Sequence, residues 1–499
     1  MNRKICKIIG VAALILLIFL AVSCDGNTPS ESYDHTSEPT CDSSDFESDR
    51  EGGEDASSDI ADTSGNGSAE ESNIMSDSSG DNMGDSMGDS MSDSMSEHTG
   101  TQSADSEEKE SDTAQREESS ADKETEKETE KETEPPITDL FEIPIPSGDY
   151  ALTFENLGEL GSEKNVVYFV IDRFDWEYYV WARERAPEIF YNLDDGGFTY
   201  YDDSISLYPR TFPSIAYMIS GVENHFTESR TEYFKSAYSR SEYMRRLHNS
   251  GYSINIYTAD YYGYANAAYM ANYADNARPV YEGRKAFNTD MRDIYFYLKQ
   301  NGVRIGESKK SYSFIHLSGT HLPIDYDENF EPLPDGDRRA SNSTLGMKLS
   351  FMIINYYIDE MKRLGVYDNA TIIITGDHPS IGSDREVPLR YAHVTPLFVK
   401  PSSEADGELK VSSAPVSHAD IFPTVLISEG IKGGSDFGRS VFEIPEDEIR
   451  ERLYYFQKLD TIDGKTNYEM VIFAIKGKAA DYGNWEIRKR YYLGKSIYN

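Results

Sequence analysis

Residues 371–379 read T-I-I-I-T-G-D-H-P, an uninterrupted apolar run that ends abruptly in Asp377 and His378. The run is too short for a helix and lacks the alternation of a strand with one solvated face, so it predicts a central strand covered on both sides. Ligands of open α/β sheets bind outside the carboxyl ends of such strands. A carboxylate beside an imidazole at that position predicts a pair of metal ligands, with a polar turn that merely ends a strand as the competing interpretation.

Other apolar runs predict the sheet around this strand. Strands are predicted at 166–171, 253–257, 312–317, 371–375 and 396–399, and a helix at 344–364 from its three- and four-residue apolar spacing. Strands that alternate with helices predict a doubly wound, mainly parallel α/β sheet with helices on both faces. From about residue 445 the pattern predicts a charged helix followed by aromatic β-like segments at 468–475 and 485–493, which form a small C-terminal subdomain over 445–499.

The composition of the N-terminal quarter excludes a folded core. Residues 1–24 combine a basic start, an apolar run and small residues before Cys24, which predicts a signal peptide. The end of this segment resembles the lipobox of bacterial lipoproteins, in which Cys24 carries the lipid, and an uncleaved signal anchor is the alternative. Residues 25–136 are rich in Ser, Asp, Glu, Gly and Thr and carry most of the net charge of −40, so they predict a disordered, extended tether. The remainder is therefore expected outside the cytoplasmic membrane and anchored to it.

The folded part is expected to comprise a main domain at 137–444 and the C-terminal subdomain. The three cysteines, Cys6, Cys24 and Cys41, all precede it, which excludes a cysteine nucleophile, a thiolate metal site and a disulfide there. Its acidic balance argues against a nucleic acid partner, because phosphate binding requires basic surface.

Two more elements place polar groups where chemistry is expected. The strand at 166–171 is followed by Asp172, at the same end of the sheet as the first pair. Thr211 stands at the start of a short helix that Pro213 begins and Gly221 ends. A hydroxyl there meets unpaired backbone N–H groups and the positive end of the helix dipole, which suits an attacking oxyanion or a phosphate. A plain N-cap threonine is the competing interpretation.

Three histidines extend the set of candidates. His321 follows the third strand in F-I-H-L-S-G-T-H-L-P at 314–323, and His418 precedes a helix start in S-H-A-D-I-F-P-T at 417–424. His393 stands ahead of the strand at 396–399. Each of these histidines taken alone is more often structural than functional, so only the combination is informative.

Taken in order, these elements resemble the alkaline phosphatase superfamily, and within it the sulfatase-like branch of phosphoglycerol and phosphoethanolamine transferases that includes lipoteichoic acid synthases. The resemblance covers residues 165–426. It follows the family's order of motifs: a strand followed by an acid, a hydroxyl nucleophile, Thr-His-x-Pro, Gly-Asp-His and a His/Asp-Ile-x-Pro-Thr helix start.

The resemblance implies roles for the residues that match these motifs. One divalent metal would be held by Asp172, Thr211, Asp377 and His378. Thr211 would be the nucleophile, and His321 would contact the substrate phosphate or the leaving group. The remaining candidates would line the phosphate pocket or hold a second metal: Arg210, His418, His393 and Asp325.

The residue types suit this chemistry on their own. A threonine hydroxyl is a poor nucleophile, and coordination to a divalent cation favours its alkoxide. Carboxylates and an imidazole without a thiolate suit Mn²⁺, with Zn²⁺ and Mg²⁺ as alternatives. An imidazole at position 321 can protonate a leaving alkoxide as a general acid.

Departures from the family pattern indicate the branch. Sulfatases convert a Cys or Ser to formylglycine in a C/S-x-P-S-R motif, where this chain has Thr211 and Ile215, and they carry paired acids where it has Asp172 and Arg173. These differences argue against sulfate-ester hydrolysis.

Lipoteichoic acid synthases differ from this chain in other ways. They usually have Glu at the position of Asp172, Tyr-Gly in place of Pro379 and Ser380, and several transmembrane helices before the catalytic domain. These departures concern the donor, the acceptor and the metal, and they leave the superfamily unchanged.

The sequence thus predicts a surface-tethered, metal-dependent transferase that moves a phospho-head group through a phospho-threonine intermediate. The donor would be a phospholipid, and the acceptor a cell-envelope glycan or lipid. Two alternatives remain: a phosphoester hydrolase that passes the same intermediate to water, and a non-catalytic, carbohydrate-binding surface protein, which the altered Pro379-Ser380 and the Tyr-rich domain would suit.

Overall fold

A computed structural model of the chain describes residues 139–259, 263–281, 285–334, 342–379, 394–462 and 465–492. The predicted signal peptide with Cys24, the predicted tether, Ser380 and His393 lie outside the described residues. None of the helices within the described ranges is long and apolar enough to cross a membrane.

The described residues form strands and helices in alternation. The strands are β1 (Tyr150–Leu152), β2 (Glu159–Leu160), β3 (Lys164–Ile171), β4 (Thr199–Tyr201), β5 (Ser204–Ile205), β6 (Tyr252–Tyr257), β7 (Ala277–Pro279), β8 (Arg304–Ile305), β9 (Lys310–Leu317), β10 (Ala370–Gly376), β11 (Leu397–Lys400), β12 (Lys410–Ser412), β13 (Val416–Ser417), β14 (Glu451–Ile462), β15 (Lys465–Lys476) and β16 (Trp485–Tyr492). The helices are α1 (Trp176–Arg185), α2 (Tyr191–Asp194), α3 (Thr211–Ser220), α4 (Arg230–Ser239), α5 (Glu242–Asn249), α6 (Ala267–Met270), α7 (Met291–Asn301), α8 (Ser343–Leu364) and α9 (Ile421–Ser428).

The central sheet has the strand order β12-β4-β11-β10-β3-β9-β6. Strands β10, β3, β9 and β6 run parallel, which confirms the predicted mainly parallel sheet. The predicted strands at 166–171, 253–257, 312–317 and 371–375 lie in these four strands. Strand β10 is buried along its whole length, as its continuous apolar sequence predicts.

Helices cover both faces of this sheet, as predicted. Phe169 of β3 contacts the ring of Tyr357 in α8, with ring centroids 5.5 Å apart. The preceding residue of β3, Tyr168, points to the other face and pairs in register with Phe314 of β9. On that face Tyr312 contacts Tyr243 of α5 at 6.1 Å. The predicted helix at 344–364 corresponds to α8, and Gly365 ends it with φ of 72°.

The strand predicted at 396–399 is confirmed as β11. It runs antiparallel to both β10 and β4, a pairing that needs no crossover helix, within a sheet that is otherwise mainly parallel. The prediction of a charged helix after residue 445 is wrong. Strand β14 occupies this region because the side chains of Tyr454, Tyr455 and Phe456 are buried, and because its backbone pairs with β15 along its full length.

The C-terminal sheet has the order β14-β15-β16, is antiparallel throughout, and confirms the predicted small C-terminal sheet. It contributes most of a second apolar cluster, which also includes Ile205 of β5 and Val394. The backbone N–H of Tyr455 donates to the carbonyl of Leu207 at 2.9 Å. The sheet is thereby attached just ahead of α3.

Candidate active site

The two neighbouring central strands bring their terminal acids together. Strands β3 and β10 pair in parallel with Ile171 opposite Gly376, so that Asp172 and Asp377 leave the sheet side by side. Both carboxylates are buried, with exposures of 4% and 0%. His378 follows on the same turn and is also buried.

Asp172, Asp377 and His378 each offer one ligand atom, and these three atoms lie within 4.8 Å of one another. His378 Nε2 lies 3.4 Å from Asp377 Oδ2 and 3.7 Å from Asp172 Oδ1. Thr211 Oγ1 lies 3.4 Å from Asp172 Oδ2 and 3.2 Å from His378 Nε2. The four side chains that the sequence singled out as metal ligands therefore meet at one point. These four residues are called the acid–histidine cluster below.

The polar atoms of the acid–histidine cluster fit a divalent cation. Asp172 Oδ1 and Asp377 Oδ2 are buried and have no hydrogen-bond partner among the described residues. The other Asp377 oxygen, Oδ1, accepts the backbone N–H groups of Arg173 at 2.9 Å and His378 at 2.8 Å. Each carboxylate thus keeps one unpartnered oxygen, and a buried carboxylate oxygen is costly unless a cation or a donor compensates it.

The ring orientation of His378 also suits a ligand. His378 Nδ1 lies 2.8 Å from the carbonyl oxygen of Pro379. Because a carbonyl only accepts, the neutral ring carries its proton on Nδ1 and leaves the lone pair of Nε2 facing the cluster. Pro379, which departs from the family pattern, therefore still orients this imidazole through its backbone.

The two carboxyl groups have different electrostatic surroundings. Burial by itself would raise the pKa of Asp172, but the adjacent imidazole of His316 and the imidazoles of His321 and His378 lower it to about 2. Burial raises the pKa of Asp377, and the negative charge of Asp172 adds to that increase. A cation bound between the two carboxylates would favour the ionised form of both.

Thr211 reaches the cluster because α3 is tied to the end of β10. The Ser214 hydroxyl, in the first turn of α3, donates to the backbone carbonyl of Asp377. The Thr211 side chain is 7% exposed and stands just ahead of the regular part of α3, because the backbone of Phe212 is not helical and the continuous helix begins at Pro213. Unpaired N–H groups and the helix dipole there favour an anionic oxygen or a bound phosphate.

A family model described as Sulfatase matches residues 164–430, a range that contains all four cluster residues. The chain belongs to the sulfatase family. This match confirms, at the level of the family, the predicted resemblance to the sulfatase-like branch and the prediction of an enzyme.

Individual relatives of this sulfatase-family chain are distant. The lipoteichoic acid synthase of Staphylococcus aureus strain USA300 is 21% identical over 184 residues, which cover 33% of this chain and 28% of that protein. The chain therefore spans less than a third of the length of this curated relative.

Solved structures with a similar chain course are also distant in sequence. An alkaline phosphatase superfamily protein from Vibrio parahaemolyticus has a TM-score of 0.46 at 14% identity, covering 71% of this chain and 84% of that one. A lipoteichoic acid synthase from Listeria monocytogenes has a TM-score of 0.41 at 14% identity, covering 68% and 90%.

His321 and Arg210 of the sulfatase-family domain are both exposed. His321 lies close enough to Asp172 for its imidazole to lower the pKa of that carboxyl group. The turn before His321 is fixed by Thr320, whose hydroxyl lies 3.0 Å from the carbonyl oxygen of Asp172 and 2.8 Å from that of Arg173. Arg210 directly precedes Thr211 as the N-cap residue of α3.

His418 is buried, with an exposure of 1%, at the start of a short 3₁₀ turn before α9. Neither of its ring nitrogens has a hydrogen-bond partner of good geometry among the described residues. Burial lowers the pKa of His418 to about 3, an effect that the nearby Gly376 backbone opposes and that His378 reinforces. This imidazole is therefore neutral at physiological pH.

Asp325 does not join the cluster through the described residues. It is exposed, and no hydrogen bond or ion pair among them connects its carboxylate to Asp172, Asp377 or His378. His393 lies outside the described residues, so its proposed substrate contact stays a prediction.

Sequence reasoning missed His316, which is fully buried in β9. His316 Nε2 lies 3.5 Å from Asp172 Oδ2, and His316 Nδ1 lies 3.0 Å from the Thr258 hydroxyl. The available signal was a titratable residue inside the otherwise apolar end of a strand, two positions before the turn at Ser318.

Proposed function

We propose that this chain is a metal-dependent phosphotransferase that moves a phospho-head group, phosphoglycerol- or phosphoethanolamine-like, to a cell-envelope acceptor. The observation that carries the proposal is the position of the Thr211 hydroxyl at the N-terminus of α3, within 3.4 Å of Asp172 and 3.2 Å of His378. A hydroxyl among two carboxylates and an imidazole is the arrangement of an activated nucleophile beside a cation.

Asp172, Asp377, His378 and Thr211 would hold the cation. When bound, a divalent metal such as Mn²⁺, Zn²⁺ or Mg²⁺ stabilises a deprotonated threonine oxygen and neutralises charge on phosphoryl oxygens. The ligand set is rich in oxygen and has no thiolate, which suits these three ions and does not choose among them.

The residues of the chain then have distinct roles in two displacement steps. In the first, the deprotonated Thr211 oxygen forms a bond to phosphorus, the bond to the donor alkoxide breaks, and protonated His321 gives that alkoxide a proton. In the second, an acceptor hydroxyl attacks the phospho-threonine, His321 takes the hydroxyl proton, and Thr211 leaves as the deprotonated oxygen with which the cycle began. Arg210 and neutral His418 would contact the phosphoryl group or its ester.

The proposed donor and acceptor follow from the relatives and from the sequence. The curated relatives are named as lipoteichoic acid synthases, and the proposal extends an envelope acceptor and a phospholipid donor to this chain. The lipobox-like end of the signal peptide supports attachment at Cys24 and an extracytoplasmic location. Threonine in place of a convertible Cys or Ser favours phosphoryl over sulfate chemistry.

The test uses the full chain with Mn²⁺, a fluorescent phospholipid donor and envelope glycan, and compares Thr211→Ala with the matched control Thr211→Ser. Removing the nucleophile is expected to lower turnover on the order of 10³-fold or more, whereas serine keeps a hydroxyl and part of the activity. Mass spectrometry should find the head group on residue 211 of the unmodified enzyme. Full turnover by Thr211→Ala would overturn the mechanism.

Product analysis separates the proposed transfer from hydrolysis. Transfer predicts labelled glycan or lipid whenever acceptor is present. Release of the free head group at the same rate with and without acceptor would identify a hydrolase instead. Absence of both metal binding and turnover would favour a non-catalytic surface protein.

A further inference from the structure

We propose that His316, held by Thr258, is a positioning residue that fixes the Asp172 carboxylate for the divalent cation. This inference rests on the proposed function, since it concerns the same metal site. It concerns His316 on β9, the neighbour of β3, and Thr258 at the end of β6, the next strand along, neither of which belongs to the acid–histidine cluster.

Parallel pairing aligns the three groups at one edge of the sheet. Tyr257 at the end of β6 pairs with Ile315 of β9, so Thr258 and His316 come next in the same register. His316 pairs in turn with Val170 of β3, two residues before Asp172 and on the same face. The row Thr258, His316, Asp172 thus crosses three neighbouring strands.

Each ring nitrogen of His316 faces one polar side chain in this row. Thr258 Oγ1 and His316 Nδ1 are 3.0 Å apart, and both residues are fully buried. On the other side, His316 Nε2 lies 3.5 Å from Asp172 Oδ2 and makes no hydrogen bond of good geometry among the described residues, so this carboxylate oxygen is the acceptor within reach. A buried N–H without an acceptor is costly, so Asp172 is the group that this nitrogen must satisfy.

The acceptor-only chemistry of a carboxylate then fixes the direction of the hydrogen bonds. With the ring proton on Nε2 directed at Asp172 Oδ2, Nδ1 accepts the Thr258 hydroxyl proton. Asp172 Oδ2 is thereby engaged by the protein, and Oδ1 remains unpartnered for a cation. Partners of this kind that orient a ligating group commonly affect metal affinity by about 10–100-fold.

If His316 had only a structural role, its substitution would affect stability and metal affinity differently. If His316 only fills space in the core, its replacement lowers stability but leaves the metal affinity of folded protein unchanged. If it positions Asp172, affinity depends on a donor at the place of Nε2. Glutamine extends its amide N–H₂ toward that place, whereas the shorter asparagine reaches only the region of Nδ1.

The test is calorimetric titration of Mn²⁺ into the full chain, with His316→Gln, His316→Asn, Thr258→Val and Thr258→Ser compared with the unmodified protein. We expect the Kd for Mn²⁺ to rise about 10–100-fold in His316→Asn and to stay within about threefold in His316→Gln. Thr258→Val should weaken binding by a smaller factor, because His316 loses the donor that holds its tautomer, and Thr258→Ser should restore it. Circular dichroism without metal establishes that each variant is folded.

The possible outcomes separate this inference from the proposed function. Equal Mn²⁺ affinity in His316→Asn and the unmodified protein overturns the positioning role while the metal site stands. Loss of affinity in both His316→Gln and His316→Asn also overturns it, since shape and not the hydrogen bond would then matter. Should His316→Asn fail to fold, the Thr258→Val and Thr258→Ser pair decides. If the unmodified protein binds none of Mn²⁺, Zn²⁺ and Mg²⁺, the proposed function fails together with this inference.

Discussion

At the residue scale, local backbone geometry shapes the site as much as the side chains do. Arg173 adopts a left-handed backbone, with φ of 58°, and from this position its N–H donates to Asp377 Oδ1 at 2.9 Å. Non-glycine residues rarely adopt this backbone conformation, and when they do, the surrounding structure usually holds them in it. The backbone between β3 and α1 is therefore set to support the second carboxylate, which a reading of side chains alone does not reveal.

His418 supplies a prediction about pH. Burial lowers its pKa to about 3, so between pH 6.5 and 3 this residue is protonated in the unfolded chain and unprotonated in the folded chain. The free energy of unfolding should therefore fall as pH decreases through this window. His418→Gln, which has no such proton, should reduce the slope by up to roughly 1 kcal/mol per pH unit.

Urea unfolding at a series of pH values from 3 to 7 measures this slope. The same substitution at His248, a partly exposed residue of α5, controls for the loss of a histidine in general. Parallel stability curves for His418→Gln and the unmodified protein would contradict the neutral, buried state of His418.

At the element scale, the turn after β9 packs closely between the end of β3 and helix α8. Gly319 has φ of 59°, and a Cβ on it would lie 2.7 Å from the backbone nitrogen of Asp172. On the other side, a Cβ on Gly346 of α8 would lie 2.5 Å from the carbonyl oxygen of Gly319. Helix α8 therefore sets the position of the turn that carries His321.

Gly346→Ala tests this contact. Helix propensity alone would stabilise the variant by about 1 kcal/mol, but overpacking against the turn is expected to cost about 1–3 kcal/mol. Because the displaced turn carries His321, turnover should also fall by at least about tenfold.

Thermal unfolding and steady-state turnover of Gly346→Ala provide the measurements. Gly407→Ala is the matched control, because its new Cβ would meet its nearest neighbour at an ordinary 3.6 Å. Unchanged turnover in Gly346→Ala would show that the turn moves without affecting the reaction.

At the scale of the whole molecule, one buried ion pair connects the C-terminal sheet to the main sheet. Arg452 of β14 and Asp203, ahead of β5, lie with Nη2 and Oδ2 3.0 Å apart and side-chain exposures of 0% and 6%. The guanidinium also donates to the carbonyls of Val416 and Gly477, and Ala479 N–H donates to Asp203 Oδ1. Segments far apart in sequence thus share one polar centre.

Arg452→Met should lower the free energy of unfolding by about 3–5 kcal/mol, since it leaves the Asp203 carboxylate buried without its partner. Adding Asp203→Asn should recover part of this loss, because the uncompensated charge is then gone. Equilibrium urea unfolding is the measurement. Lys410→Met, which breaks the exposed ion pair with Glu404, serves as the control and should cost less than about 1 kcal/mol. If Arg452→Met lowers the free energy of unfolding by less than about 1 kcal/mol, the two sheets are held together mainly by apolar packing.

The main sheet and the acid–histidine cluster could be predicted because their determinants are local. A strand buried on both faces must be apolar throughout, so β3 and β10 are visible as continuous runs, and the first polar residues after them mark the edge where ligands bind. Parallel pairing of two such strands places Asp172 beside Asp377 without further information. The start of α3 is also local, because Pro213 and Gly221 delimit it.

The C-terminal region could not be predicted in the same way. The charges around residues 446–451 favour a helix when read alone, and only pairing with β15 and burial of Tyr454 and Phe456 make β14 a strand. The antiparallel direction of β11 likewise depends on how the chain returns to β10, which strand sequence does not encode.

The sequence by itself determined the family, the central strands and the four residues that converge at their ends, because each follows from hydrophobic continuity and short motifs. The tertiary structure alone decided that His316 contacts Asp172 and that Thr258, 58 positions away in sequence, contacts His316. It also decided the pairing of Arg452 with Asp203. These contacts join segments that are distant along the chain, and no local pattern records them, because buried polar groups are stable only where the fold supplies their partners.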